Sequence, residues 1–184
     1  MATRSMPRDD VPAPGGRAGA APLNRYHLTV LAADLADLVE GAGGYVFDRA
    51  RAGWDVSVRI PACRDLRPLV ILGATPMPDA ADVLAGVPRD GALAVSAKLL
   101  RDDPRVRGYV FGRVRAGDAD LTAWGTEWPD SLGDRIAVTT HSLSVAARAF
   151  KAQALAAADL GAAAGDAETL FDLCSESFRP LAVV

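Results

Sequence analysis

The sequence predicts a single α/β domain: a small, mostly parallel sheet of three to four strands flanked by helices. Three observations point there. Helix-like and strand-like segments alternate along the chain, the pattern of parallel strands joined by right-handed crossovers. The run Leu69-Val70-Ile71-Leu72, bounded by Pro68 and Gly73, reads as a strand buried on both faces. The phrase GYVFDRARAG at Gly44 to Gly53 returns as GYVFGRVRAG at Gly108 to Gly117, and each copy closes a helical pattern shortly before a strand-like one.

Length and composition agree. A chain of 184 residues suits one domain with its own core. Half of the residues are hydrophobic and 23% are charged, a globular balance. The net charge of −3 gives no support to a nucleic-acid binder, which ordinarily carries a basic stripe. Arg outnumbers Lys eighteen to two and Asp outnumbers Glu nineteen to four, a bias expected of a high-GC bacterial genome. Cys63 and Cys174 lie far apart and belong to no CxxC or Cys/His cluster, so no zinc site is expected. No apolar run nears the ~20 residues of a membrane helix. No secretory segment precedes the domain, so a cytoplasmic protein with reduced cysteines is expected.

Residues 1–23 hold Pro7, Pro12, Pro14 and Pro22 and almost no large apolar side chain, so they are expected to form a disordered tail. The α/β domain is expected over 24–180, with a short tail over 181–184. Leu28, Leu31, Leu35, Leu38 and Val39 recur at helical spacing. Tyr45, Val46, Arg49 and Ala50 carry that spacing past Gly41, Gly43 and Gly44 to a stop at Gly53. Residues 54–60 alternate apolar and polar and are rich in β-branched types, a strand that Pro61 ends. A second strand is expected over 68–73, then a short helix over 79–85 and another over 93–100.

Asp102-Asp103-Pro104 marks a helix start, an Asp cap followed by Pro at the first helical position, and that helix ends at Gly117. Strands are expected at 119–124 and 135–140. Residues 143–160 form the clearest helix: Leu143, Ala146, Ala147, Phe150, Ala154 and Ala157 make one stripe, with Arg148, Lys151 and Asp159 off it. A last short helix is expected over 170–178, stopped by Pro180.

The repeat reads most simply as one helix–strand unit used twice, in equivalent places against a shared sheet. Arg49 and Arg51 match Arg113 and Arg115. Positions two apart on a helix point about 200° from each other, so each arginine pair is expected to be solvated over buried stems. These four arginines, with Trp128 in a turn-like loop, are the candidate interaction residues.

Two stretches raise the question of a ligand. For Gly41-Ala42-Gly43-Gly44 to form a dinucleotide turn a strand must stand directly before it; one at Tyr26 to Leu31 is conceivable, but Ala32 to Gly41 intervene and no acidic residue ends the next strand, so the glycines are read as a close-packing device or a helix bend. Thr139, Thr140, His141 and Ser142 stand between a strand end and the clearest helix. A helix start favours anions through its free N–H groups. These four residues are therefore the candidate ligand site, with His141 the candidate acid/base. The alternative is an ordinary helix cap at Thr140 or Ser142. No Ser-His-Asp, Cys-His or metal-ligand cluster can be assembled from spacing, and His27 is the only other histidine.

GGYVFDRARAGWDV, RPLVILGA and HSLSVAARAFKAQAL resemble segments of a family of uncharacterised actinobacterial α/β proteins, a resemblance that touches much of 43–155 and implies no activity. The GAGG stretch leading through a helix to Gly53-Trp54-Asp55-Val56 also resembles sugar or lipid deacetylases of the LmbE-like type. That resemblance implies a metal motif of His and paired Asp ahead of the glycines. Here Ala32 to Asp37 supply Asp34 and Asp37 but no histidine.

Without a catalytic cluster, the chain is expected to be a non-catalytic regulatory or protein-interaction domain that needs no cofactor and has a protein partner or self-associates. The alternative is a small enzyme or ligand-binding protein that holds an anionic, phosphate-bearing ligand around 139–144. A DNA-associated regulator comes last, since the acidic pI and the lack of a helix-turn-helix pattern oppose it.

Overall fold

The structure is a computed structural model that describes residues 26–61, 65–77, 82–117, 120–129 and 136–173. The expected tails at 1–23 and 181–184, and both cysteines, lie outside the described residues. Among the described residues no helix is long and apolar enough to cross a membrane.

One α/β domain is present, but its sheet has seven strands rather than three or four. In chain order the elements are β1 (His27–Leu31), α1 (Leu35–Arg51), β2 (Asp55–Arg59), α2 (Arg67–Ile71), β3 (Thr75–Pro76) and β4 (Ala92–Ser96). Then come α3 (Ala97–Asp102), α4 (Pro104–Ala116), β5 (Leu121–Trp124), β6 (Ala137–Ser142), α5 (Val145–Ala157) and β7 (Ala167–Asp172). The order across the sheet is β3-β2-β1-β4-β5-β7-β6. The first five strands are parallel, while β7 runs antiparallel to β5 and to β6.

Five segments differ from expectation in their described parts. Leu28 and Leu31 belong to the central strand β1, not to a helix. With both faces of β1 covered, only Thr29 marks its alternation, and the buried leucines happen to fall three apart. The run at 68–73 is the short helix α2 and not a strand. Pro68 opens it, Leu69 and Leu72 are buried three apart, and Val70 between them is 65% exposed. Residues 93–100 split into the fully buried β4 and the helix α3. The expected helix at 170–178 is, in its described part, strand β7, where Glu168 and Leu170 face inward and Ala167 and Thr169 outward. Of the expected helix at 79–85, residues 82–85 form turns and the rest lies outside the described residues.

Other elements stand where periodicity and caps put them. Helix α4 starts on Asp103, whose carboxylate accepts the Arg105 N–H, and stops at Gly117 with φ of 76°. Helix α5 is capped by Ser144, whose hydroxyl oxygen accepts the Ala147 N–H, rather than by Thr140 or Ser142.

The sheet separates two apolar layers. Leu28 and Val30 of β1 and Ala92 and Ala94 of β4 face α1 and α5. Leu31, Leu93 and Val95 face α3 and α4. The two copies of the repeat therefore lie on opposite faces, Tyr45, Val46 and Phe47 in one layer and Val110 in the other. This follows from topology. From the β1/β4 pair the chain winds outward through β2 on one side and β5 on the other, and two right-handed crossovers of opposite direction put their helices on opposite faces.

Candidate functional site

Between β1 and β4 the winding reverses, and in open α/β sheets ligands collect at the carboxyl ends of the strands at that point. Two strand–cap–helix junctions meet there. After β1, Asp34 caps α1 by accepting the Asp37 N–H at 2.9 Å, and Asp37 reaches back to the Ala33 N–H at 3.2 Å, a reciprocal cap. After β4, Ser96 caps α3 through the Leu99 N–H. The first turn of α3 carries Lys98, whose Nζ donates to Asp34 Oδ2 at 2.7 Å. From β5, the Trp124 indole donates to the Asp37 carbonyl oxygen at 3.2 Å. Arg101 on α3 pairs with Asp102 and with Glu127 from the loop after β5.

The two aspartates are tuned apart. Burial pushes the Asp37 carboxyl up. Hydrogen bonds from the Ser96 hydroxyl and the Ala33 N–H oppose the rise, the Asp34 charge adds to it, and the net is a carboxyl above its ordinary 3.8. Burial acts on Asp34 in the same direction, but the Asp37 N–H and the Lys98 ammonium outweigh it and hold Asp34 low. Asp34 in turn raises Lys98, which stays an ammonium at neutral pH. The crevice thus holds a half-exposed ion pair beside a carboxyl of raised proton affinity.

None of the residues singled out in sequence as ligand-binding lies in this crevice. Thr139, Thr140 and Ser142 are exposed on β6. His141 Nε2 lies 3.1 Å from Asp48 Oδ2, with its ring edge-on to Tyr45. The start of α5 does hold an anion, and it is the protein's own. Asp48 accepts the Ser144 N–H at 3.2 Å and the Ser144 hydroxyl at 2.6 Å. Burial raises Asp48, but the Ser144 hydroxyl, the Ser144 N–H and His141 together bring it below 3.8.

A carboxylate depressed in the folded state contributes stability above its unfolded pKa and loses it as pH falls through the folded one. Asp48→Asn is therefore expected to cost about 1–2 kcal/mol near neutrality, and chemical denaturation should show the gap to wild type closing below about pH 4. A gap that is the same at both pH values would contradict this.

The candidate interaction residues do not form one surface. Arg49 lies over the Tyr45 and Trp54 rings, 5.0 and 4.6 Å from their centroids. Arg113, on the other face of the sheet, is buried and donates to the Gly91 carbonyl oxygen. Arg51 and Arg115 are exposed, and Trp128 is half-buried, edge-on to Phe171. The expectation that each pair is solvated over its stem fails at Arg113.

The donor set at Ala32 to Asp37 does not fit the metal that the deacetylase resemblance implies. Asp34 is engaged by Lys98 and Asp37 by the Ala33 N–H. His27 is at the opposite end of β1, against Ser57, and His141 is held by Asp48. Among the described residues no three His, Cys, Asp or Glu side chains are placed to share a metal ion.

The crevice residues that sequence reading missed are Ser96 and Lys98. The signal for them was a buried-strand run ending in a serine with a helix directly behind it.

No protein-family profile matches the chain, and no curated protein matches it either. Solved structures do. The chain is similar to a triple-mutant deacetylase of the teicoplanin biosynthetic pathway, with a TM-score of 0.56 and 13% identity over 79% of this chain and 97% of that one. It is similar to the A40926 pseudoaglycone deacetylase Dbv21, with a TM-score of 0.53 and 14% identity over 81% and 97%. It is also similar to GalB, the 4-carboxy-2-hydroxymuconate hydratase of Pseudomonas putida KT2440, with a TM-score of 0.50 and 17% identity over 72% and 78%. These likenesses overturn the expectation of a non-catalytic regulatory or interaction domain, because the similar proteins are enzymes. At 13–17% identity, what is shared is the α/β fold.

Proposed function

We propose that the chain is an enzyme that delivers water to a small acylated molecule in the crevice at the ends of β1 and β4. The observation that carries this reading is the pairing of a raised carboxyl, Asp37, with the Asp34–Lys98 ion pair at the point where the sheet's winding reverses. Deacetylation by hydrolysis and hydration both need a water oxygen delivered and its proton taken, and similar folds serve both in the solved enzymes.

In this reading Asp37 takes a proton from water as the water oxygen bonds to the acyl carbon. The carbon–nitrogen bond then breaks, and the same proton passes to the departing amine, leaving a carboxylic acid and an amine. Lys98 has one N–H committed to Asp34 and two left for the carbonyl oxygen, where negative charge develops. The raised Asp37 is a stronger base than an ordinary aspartate, and it loses that role as pH falls through its own pKa.

A panel of N-acetylated amino sugars and N-acyl amines, scored for released acid, tests the proposal. Asp37→Asn should lower kcat/KM by about 10²–10⁴-fold, and the acid limb of the wild-type pH profile should fall above 3.8. Turnover that survives Asp37→Asn unchanged would remove Asp37 from the mechanism.

A further inference from the structure

We infer that the crevice works without a divalent metal because Lys98 supplies its cation from within the chain. The inference rests on reading the crevice as the site. Asp34 and Asp37 lie three residues apart in one helical turn, where like charges repel. At a helix start the backbone N–H groups compensate part of that repulsion, and here a cationic side chain adds to them. The Lys98 ammonium is 2.7 Å from Asp34 Oδ2 and also interacts with the charges of Asp37 and Glu127.

Its position is fixed from two sides. Ser96 caps α3 two residues before Lys98, and Asp34 and Asp37 are tied to each other's turn by the reciprocal cap of α1. The ammonium and both carboxylates are therefore held in one hydrogen-bonded unit that joins β1 to β4. A divalent ion set against Asp34 would meet a positive charge already at hydrogen-bond distance. It would also find too few donors, since zinc asks for four nitrogen, sulfur or oxygen ligands and calcium for six or more oxygens.

The substrate class follows from the same geometry. An ammonium with free N–H groups recognises a carbonyl or anionic oxygen through hydrogen bonds, so the crevice takes an amide or ester carbonyl by donation and not by metal coordination.

The test uses the full chain, purified without chelators. Its metal content is read by inductively coupled plasma mass spectrometry, and melts are recorded in EDTA and in millimolar MnCl2. The wild type is expected to hold substoichiometric metal, with a Tm that neither EDTA nor MnCl2 moves. Lys98→Ala and Lys98→Met leave the two carboxylates uncompensated, so MnCl2 should raise the Tm of each by several degrees. Adding Asp34→Asn should abolish that response.

A wild type that retains stoichiometric metal and loses Tm in EDTA overturns the inference. So do Lys98 variants that respond to MnCl2 no more than the wild type. The metal content of the wild type decides the matter even if a variant fails to fold. A metal-bound wild type would leave the Asp37 test standing, whereas unchanged turnover in Asp37→Asn would sink the enzyme reading without touching the metal result.

Discussion

Replacing Glu168 by Leu or Lys151 by Met is expected to cost about 3–5 kcal/mol of folding stability, because each leaves its partner as an uncompensated buried charge. Lys151 of α5 and Glu168 of β7 are 5% and 4% exposed, and their charged groups lie 2.7 Å apart. Glu168 does more than pair. Its two oxygens accept the N–H groups of Gly44 and Tyr45, in the middle of α1, at 2.7 and 2.8 Å. Lys151 completes the knot by donating to the Glu40 carbonyl oxygen at 2.7 Å.

Glu168→Leu therefore removes three hydrogen bonds and should be the worse of the two, while Glu168→Gln keeps one acceptor and should fall between Glu168→Leu and wild type. Urea unfolding of Lys151→Met, Glu168→Leu and the Lys151→Met/Glu168→Leu double variant gives the coupling energy directly. Singles that cost under about 1 kcal/mol, the range of an exposed pair, would show that the knot does not hold α1 to the outer sheet.

The second large effect is expected at Gly41. A Cβ there would stand 2.4 Å from Trp124 Cδ1 and 3.0 Å from its Nε1. The indole is 1% exposed and pinned to the Asp37 carbonyl oxygen, so it has nowhere to move. Gly41→Ala should cost about 1–3 kcal/mol by overpacking and should disturb the crevice through Asp37. Gly43→Ala is the internal control, since its Cβ would meet Leu72 and Lys151 at an ordinary 3.6 Å. There the gain in helix propensity, up to about 1 kcal/mol, should leave the protein as stable as wild type or more so. Thermal melts with tryptophan fluorescence separate the two. Equal stability of both variants would mean that α1 does not press on β5 as described.

Sequence periodicity found the elements that are amphipathic and capped. The alternation at 54–60 gave β2, the Asp103-Pro104 start gave α4, and the alanine stripe gave α5. It failed where both faces of an element are covered, because burial then removes the polar positions that mark a period. Leu28 to Leu31 and Leu93 to Val95 read as helix for that reason, whereas Leu69 to Leu72 read as strand because the exposed Val70 of α2 is itself apolar. The glycines of Gly41-Ala42-Gly43-Gly44 were legible as close packing, although their partners, Trp124 and Leu143, were not.

The crevice was half legible. Asp34 and Asp37 drew attention as an incomplete metal motif, but their cation lies 64 residues away from Asp34 on a helix that was given the wrong start. Lys151 looked like a solvated residue because its partner, Glu168, lay in a segment given no structural role.

The Glu168 hydrogen bonds to the middle of α1 have a consequence in time as well as in space. They span 124 and 123 residues of chain, so α1 is made long before its partner strand. On a ribosome, the central helix waits with the N–H groups of Gly44 and Tyr45 turned toward a strand that does not yet exist. A nascent chain halted before Glu168 would carry six of the seven strands and Lys151, but not the carboxylate that both N–H groups await.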